Sequence, residues 1–274
     1  MRRFTKVFVF LASVSMATPA MAQVKKPLFD SFNFKLEGSR IRTNTTIRLD
    51  SENLGQGTTL SFEDDLALRE KKFEPSLSFE WQMGRRHRLG VRWQDINRDT
   101  TTQVLKEIKW GGVVIPIEAD VTLGFDINTL ALDYTYYPWV KERWAGGFGL
   151  GFRVLALKTT LAVDDTELEE QVDGTAPLPY VNFEYRRVFG KRWRVKAALG
   201  WLEVKIGDVK GGQYIGRLAG EFIPLRHWGF GIAGNLSTVD VDWQGIESPS
   251  EDDVLRAKIE LDINDISLYI RYRF

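Results

Sequence analysis

The sequence predicts an all-β chain: a transmembrane antiparallel up-and-down β-barrel of ten strands, preceded by a cleaved signal peptide, with eight or twelve strands as the alternatives. Three observations predict it. The N-terminus has the layout of a secretory signal. The remainder contains no long apolar run, yet about ten segments alternate apolar and polar residues with period two. The connections between these segments alternate short and long, as they do in outer-membrane barrels.

The signal comes first. Arg2, Arg3 and Lys6 form a basic start, an apolar stretch runs from Val7 to Val14, and small residues end at Ala20-Met21-Ala22. The apolar stretch is too short for a membrane-spanning helix, which takes roughly 20 residues. The A-x-A pattern at Ala20 and Ala22 predicts cleavage after residue 22, leaving 23–274 as one barrel domain. The chain has no cysteine. That excludes a cysteine-linked lipid anchor, disulfides, thiolate metal sites and cysteine nucleophiles. The formal net charge is zero, so nothing points to nucleic acid as a partner.

The apolar sets of the strands follow in order. They are Phe32, Phe34, Leu36; Leu77, Phe79, Trp81, Met83; Leu89, Val91, Trp93; Leu130, Leu132, Tyr134, Tyr136; and Phe148, Leu150, Phe152, Val154. Then come Val181, Phe183, Tyr185; Val195, Ala197, Leu199, Trp201; Tyr214, Leu218, Phe222; Trp228, Phe230, Ile232, Leu236; and the terminal run from Ile266 to Phe274. In a membrane barrel these sets face lipid, and the alternate positions face the lumen. Charges enter the apolar register only near strand ends, at Asp95, Lys158, Arg187 and Glu203. A lipid-facing Arg or Lys costs about 2–4 kcal/mol at mid-bilayer and far less at the interfaces. Aromatic residues also gather at the strand ends, as interfacial belts do.

The predicted lumen therefore holds Glu37, Glu80, Arg88, Arg92, Asp133, Arg153, Glu184, Arg186, Lys196, Arg217, Glu221 and Arg271. Across hairpins, Glu80 is placed to meet Arg88 or Arg92, and Glu184 to meet Lys196. Ten strands leave little more room than eight, whose interior is just filled by side chains. Ion pairs across so narrow a lumen predict a plug.

The short connections are 84–88, 140–144, 190–193 and 226–228; the long ones are 51–73, 98–125, 160–176, 206–212 and 244–256. Short turns belong to the periplasm and long loops to the outside. With both ends periplasmic the strand number is even, and four short turns plus five loops give ten. The stretch 98–125 reads as a hairpin standing above the membrane. Had it crossed the bilayer the count would be twelve, but Lys106, Glu107, Lys109, Glu118 and Asp120 argue against that.

The chain closes on "SLYIRYRF", with Leu268, Ile270, Tyr272 and Phe274 at alternate positions. This resembles the C-terminal assembly signal of Gram-negative outer-membrane proteins. The resemblance implies the barrel-assembly machinery and periplasmic chaperones as biogenesis partners. Three further stretches, 55–68, 79–93 and 115–137, resemble a group of small proteobacterial outer-membrane barrels. That resemblance implies the fold and the cell outer membrane, and carries no activity. The strand count equals that of the omptin surface proteases, but their catalytic pattern is missing.

Residues that could carry chemistry are few. His87 and His227 fall in short turns with no serine beside them, and a general base must reach its partner. Within Glu63, Asp64 and Asp65 an Asp–Asp pair could activate a water in an outer loop, although acidic loop residues are far more often just solvated. The glycines of "GGFGLGF" (146–152) alternate with Phe148, Leu150 and Phe152, so they make room in the lumen; no lysine follows to make a phosphate loop. The outer loops are acidic. Asp164, Asp165, Glu169 and Glu170 are weak candidates for Mg²⁺ or Ca²⁺, ions that would bridge the loops to lipopolysaccharide; no cofactor is expected otherwise. The expected partners are outer-membrane lipid and lipopolysaccharide. The sequence thus favours a non-enzymatic envelope barrel with a plugged lumen. A narrow or gated channel for small solutes is the alternative, and a surface-acting hydrolase the third reading.

Overall fold

The computed structural model describes residues 28–52, 55–68, 71–110, 113–163, 169–247 and 254–274. Ten long strands form the wall: β1 (Phe32–Ser51), β3 (Lys71–Met83), β4 (His87–Gln103), β7 (Asp120–Val140), β8 (Trp144–Val163), β9 (Glu169–Phe189), β10 (Trp193–Ile206), β11 (Val209–Phe222), β12 (Trp228–Glu247) and β13 (Val254–Arg273). Each pairs antiparallel with its chain neighbour, and β13 pairs with β1 from Arg273↔Asn33 to Leu255↔Ser51, so the sheet has no free edge. Three short strands lie outside this ring. β2 (Thr59–Ser61) adds to β1 above the end of β3, and β5 (Ile108–Trp110) pairs with β6 (Val113–Ile115) in the loop between β4 and β7.

A transmembrane strand takes roughly 9–11 residues. β1, β8, β12 and β13 have 20 each, about twice that need. What the extra length does is visible in the alternation. On β1 the outward residues begin as Phe34 and Leu36, 52% and 56% exposed, over a buried Lys35 and Glu37. Beyond Gly38 the polarity inverts. Arg40 and Arg42 point out, while Ile41, Ile47 and Leu49 are buried inside. β13 does the same in the opposite direction. Arg256, Lys258, Glu260 and Asp262 alternate with buried Leu255, Ala257, Ile259 and Leu261, and past Asp265 the exposed set becomes Ile266, Leu268 and Ile270.

The barrel therefore has two storeys. The lower one has an apolar, aromatic outer surface and a charged lumen, as lipid outside and polar groups inside require. The upper one is built like a water-soluble protein, polar outside and apolar within. Val121, Leu123, Phe125 and Ile127 of β7, Leu155, Leu157 and Leu161 of β8, and Val239 and Val241 of β12 meet in one core there. Burial of apolar surface stabilises this storey without help from the bilayer.

This corrects the expected loop lengths. The stretches 160–176 and 244–256 are mostly strand, with only 164–168 and 248–253 between the paired segments. The expected loop 206–212 is a tight turn at Gly207-Asp208, where Gly207 takes a left-handed φ of 59°. The stretch 98–125 stands above the apolar belt, as expected: β4 and β7 continue in register from Asp95↔Asn128 to Gln103↔Asp120. The predicted signal segment, Ala20 and Ala22 included, lies outside the described residues.

The loop between β1 and β3 is not an open surface loop. Leu60, Phe62, Leu66 and Leu68 are buried in the upper core, and the Phe62 ring meets Phe125 edge-on at 5.1 Å. Its backbone is held by Phe62 N–H donating to Thr45 O at 2.9 Å and Leu68 N–H to Phe62 O at 2.8 Å. The segment folds into the barrel mouth because its apolar residues have nowhere else to leave water.

Candidate functional site: the charged lumen

The ten-stranded ring is narrow enough for side chains to meet across it. Three tiers of ion pairs fill the lower storey. At the bottom, Asp30 accepts from Arg194 Nη1 at 3.0 Å, Arg273 Nη1 at 2.8 Å and Arg271 Nη1. Glu221 accepts from Arg194 Nη2 at 2.7 Å and forms an ion pair with Arg271, whose Nε lies 2.5 Å away. Arg271 is completely buried.

The middle tier centres on two carboxylates. Glu80 contacts Lys35 at 3.0 Å, Arg186 at 3.0 Å, Lys196 at 2.9 Å and Arg88 at 3.6 Å. Glu184 contacts Arg88 at 2.7 Å, Lys196 at 2.9 Å and Arg186, and accepts a hydrogen bond from the Tyr137 hydroxyl at 2.5 Å. In the top tier, Glu37 holds Arg92 at 3.1 Å and Arg217 at 2.9 Å. There Tyr180 donates to Asp133 at 2.6 Å, Asn235 donates to Asp265 at 2.6 Å, and Arg153 Nη1 donates to Ser237 Oγ at 3.1 Å.

All twelve lumen positions read from the alternation thus face inward, and of the two partners offered to Glu80 it meets Arg88. Arg92 meets Glu37 rather than Glu80, because Glu80 lies level with Gly90, below Arg92, and its oxygens are taken from across the lumen. Asp30, Lys35, Arg194 and Arg273 belong to the same network. The alternation itself puts Lys35, Arg194 and Arg273 on the polar face, whereas Asp30 precedes β1 and no periodicity marks it. Tyr137 and Tyr180 carry no such signal either, since tyrosine reads equally as an interfacial residue. Glycine gives them space: a methyl group on Gly147 would overlap Tyr137, and one on Gly151 would overlap Tyr180.

Above these tiers the lumen is apolar, with one ion pair set in it. Arg98 Nη1 donates to Glu63 Oε1 at 2.6 Å and Arg98 Nη2 to Thr45 Oγ1 at 2.8 Å, while Glu63 also accepts from Thr45 N–H at 2.7 Å. Burial lowers the Arg98 pKa, and Glu63 opposes that shift. The acidic triplet 63–65 is split between the two faces of the loop. Glu63 turns inward to Arg98, whereas Asp65 turns outward to Lys106 at 2.8 Å and caps Ser61 N–H at 2.9 Å.

The other candidates are quickly placed. His87 Nδ1 lies 2.7 Å from the Tyr134 hydroxyl, and His227 Nδ1 lies 2.9 Å from the Arg273 carbonyl. A phenol and a backbone carbonyl hold them, at the end of the barrel opposite the acidic loops. Asp164 and Asp165 lie outside the described residues; Glu169 and Glu170 open β9. Leu268 and Ile270 are exposed on the outer face of β13. Tyr272 stacks edge-on with Trp228 and Phe274 at 4.9 and 5.0 Å, and Phe274 N–H donates to Phe32 O at 3.0 Å across the seam.

On the outer wall of the upper storey, burial and the neighbouring carboxylates Asp262 and Glu203 raise the Asp240 pKa. Hydrogen bonding from Arg256 lowers that of Asp242.

No family model matches the chain, and no curated protein matches it. Among solved structures it is similar to the outer membrane protease OmpT from Escherichia coli, at 8% identity and a TM-score of 0.61 over 93% of this chain and 100% of that one. It is also similar to the translocator domain of autotransporter NalP from Neisseria meningitidis (8% identity, 89% and 88% covered, TM-score 0.47). A third is the outer membrane protein OprG from Pseudomonas aeruginosa (14% identity, 89% and 97% covered, TM-score 0.34). The likeness to OmpT is one of fold: this chain has the fold of an outer-membrane β-barrel.

Proposed function

We propose that the protein is a non-enzymatic barrel of the Gram-negative outer membrane, closed to solutes, which carries a rigid β-structured extension above the membrane. It would be exported by the signal at 1–22, with the short basic turns in the periplasm and the upper storey outside. The observation that carries the reading is the contact between Lys196 of β10 and Glu80 of β3. These strands are diametrically opposed in the ring, yet the side chains are 2.9 Å apart. A second closure stands above it, where Leu60, Phe62, Leu66 and Leu68 fill the upper mouth. What remains for function is the exterior: lipid and lipopolysaccharide around the lower storey, and a polar wall around the upper one.

Planar-bilayer recording on the purified protein tests this. The expected trace shows at most small, rare events. Steady, large conductance would overturn the closed reading. A gated channel is the second reading, favoured by a cavity of about 160 Å³ between the two closures. It predicts conductance that appears only under a voltage or ligand stimulus.

A further inference from the structure

The cavity between the closures has an unusual charge. Six cations and four carboxylates line it. Adding Glu37, which binds Arg92 and Arg217, and Arg186, which binds Glu80 and Glu184, still leaves cations in excess, seven to five. The geometry identifies the lining cation that no carboxylate contacts. Among the described residues Arg153 has one hydrogen-bond partner, the neutral Ser237 hydroxyl, and its Nε is buried without an acceptor. Asp133, whose charge reaches Arg153 without contacting it, and Asp265 each take a neutral hydrogen-bond donor, Tyr180 and Asn235. An arginine stays charged at any ordinary pH. A half-buried charge that no carboxylate contacts is unfavourable, and Arg153 sits on the wall of a space that could hold a counter-charge.

We infer that this cavity is a binding site for one small inorganic anion, a halide or a tetrahedral oxyanion, with Arg153 as its anchor. Ser237, Asn182 and Asn235 supply neutral polar groups on the same lining, and Arg92, Lys196 and Arg217 raise the positive potential around it. The volume is several times that of one water molecule, whose share of liquid is about 30 Å³. A chloride or a phosphate therefore fits together with part of its hydration. The inference does not depend on whether the lumen conducts, because an anion taken up during assembly needs no open pore.

The test is thermal unfolding of the refolded full chain in detergent micelles at constant ionic strength. Sodium chloride, sulfate and phosphate are compared with sodium gluconate, whose anion is too large for the cavity. For the wild type the midpoint should rise saturably with at least one of the small anions, by roughly 5–10 °C at a hundredfold excess over Kd. The anion that acts tells halide from oxyanion. Arg153→Gln should lose this response and be at least as stable as wild type in gluconate, whereas Arg153→Lys should keep part of the response. A merely structural Arg153 would instead make Arg153→Gln less stable in every salt. An equal anion response in wild type and Arg153→Gln overturns the inference. So does a wild-type midpoint that ignores the anion, which decides the matter even if Arg153→Gln fails to fold. A midpoint that changes with pH but not with the anion would mean that a lumen lysine sheds its proton instead, and would overturn it too.

Discussion

Glu80 and Lys196 approach to 2.9 Å although four strands lie between theirs either way around the ring. No backbone ladder joins them, so their contact ties the two halves of the wall together through the lumen. Glu80 also holds Lys35, Arg88 and Arg186.

Removing Glu80 therefore strands several cations at once. Losing one partner of a buried pair costs about 3–5 kcal/mol. Glu80→Ala should lower the unfolding free energy of the refolded barrel by about that much in urea titrations. Combining it with Lys35→Met and Lys196→Met should cost less than the sum of the single changes. Strict additivity would mean that the lumen charges act independently.

The first loop should be resistant to protease. Its buried residues make cleavage within 59–68 on intact cells slow until the upper core opens. Phe62→Ala should destabilise that core by about 3–5 kcal/mol and make the segment cleavable, with the membrane belt intact. Rapid cleavage of the wild type there would refute the packing of this loop.

The seam supplies a third test. Replacing Tyr272 and Phe274 with serine removes the ring contacts to Trp228 and Phe34 beside the closing strand, along with the apolar end that resembles an assembly signal. The folded, heat-modifiable band should largely disappear from the outer-membrane fraction. Its normal abundance would count against both roles of the C-terminal strand.

Asp240 provides a pH test on the water-facing wall. Its pKa is raised by burial and then by Asp262 and Glu203. A carboxyl raised in the folded state favours folding below its unfolded pKa, and that contribution is lost as pH rises through the folded value. Asp240→Asn should therefore stabilise the protein at neutral pH, and the gain should shrink as pH falls through the raised folded value and be gone below about 4. A gain that persists at low pH would point to a cause other than charge.

Much of the lower storey was legible from period two alone. There, lipid outside and ions inside give each strand two chemically opposite faces, so Phe34 against Lys35, or Ile270 against Arg271, declares both the strand and its orientation. The same rule hid the upper storey. Above Gly38 on β1 and above Asp265 on β13 the alternation continues with its sense inverted, and a charged outer face such as Arg256, Lys258 and Glu260 reads as loop when the lumen is assumed polar. Period two reports which residues share a face, but the solvent on each side decides which face is in, and that solvent changes along a single strand.

The sequence by itself determined the barrel, the strand number and the identity of the lumen charges, because these depend on local alternation. Only the tertiary structure decided the partners of those charges, the folding of Phe62 into the mouth and the absence of a carboxylate in contact with Arg153. Each of these is set by distance across the ring, between residues such as Glu80 and Lys196 that lie 116 positions apart in the chain. Closure of the β13–β1 seam brings them together, and no local pattern encodes that distance.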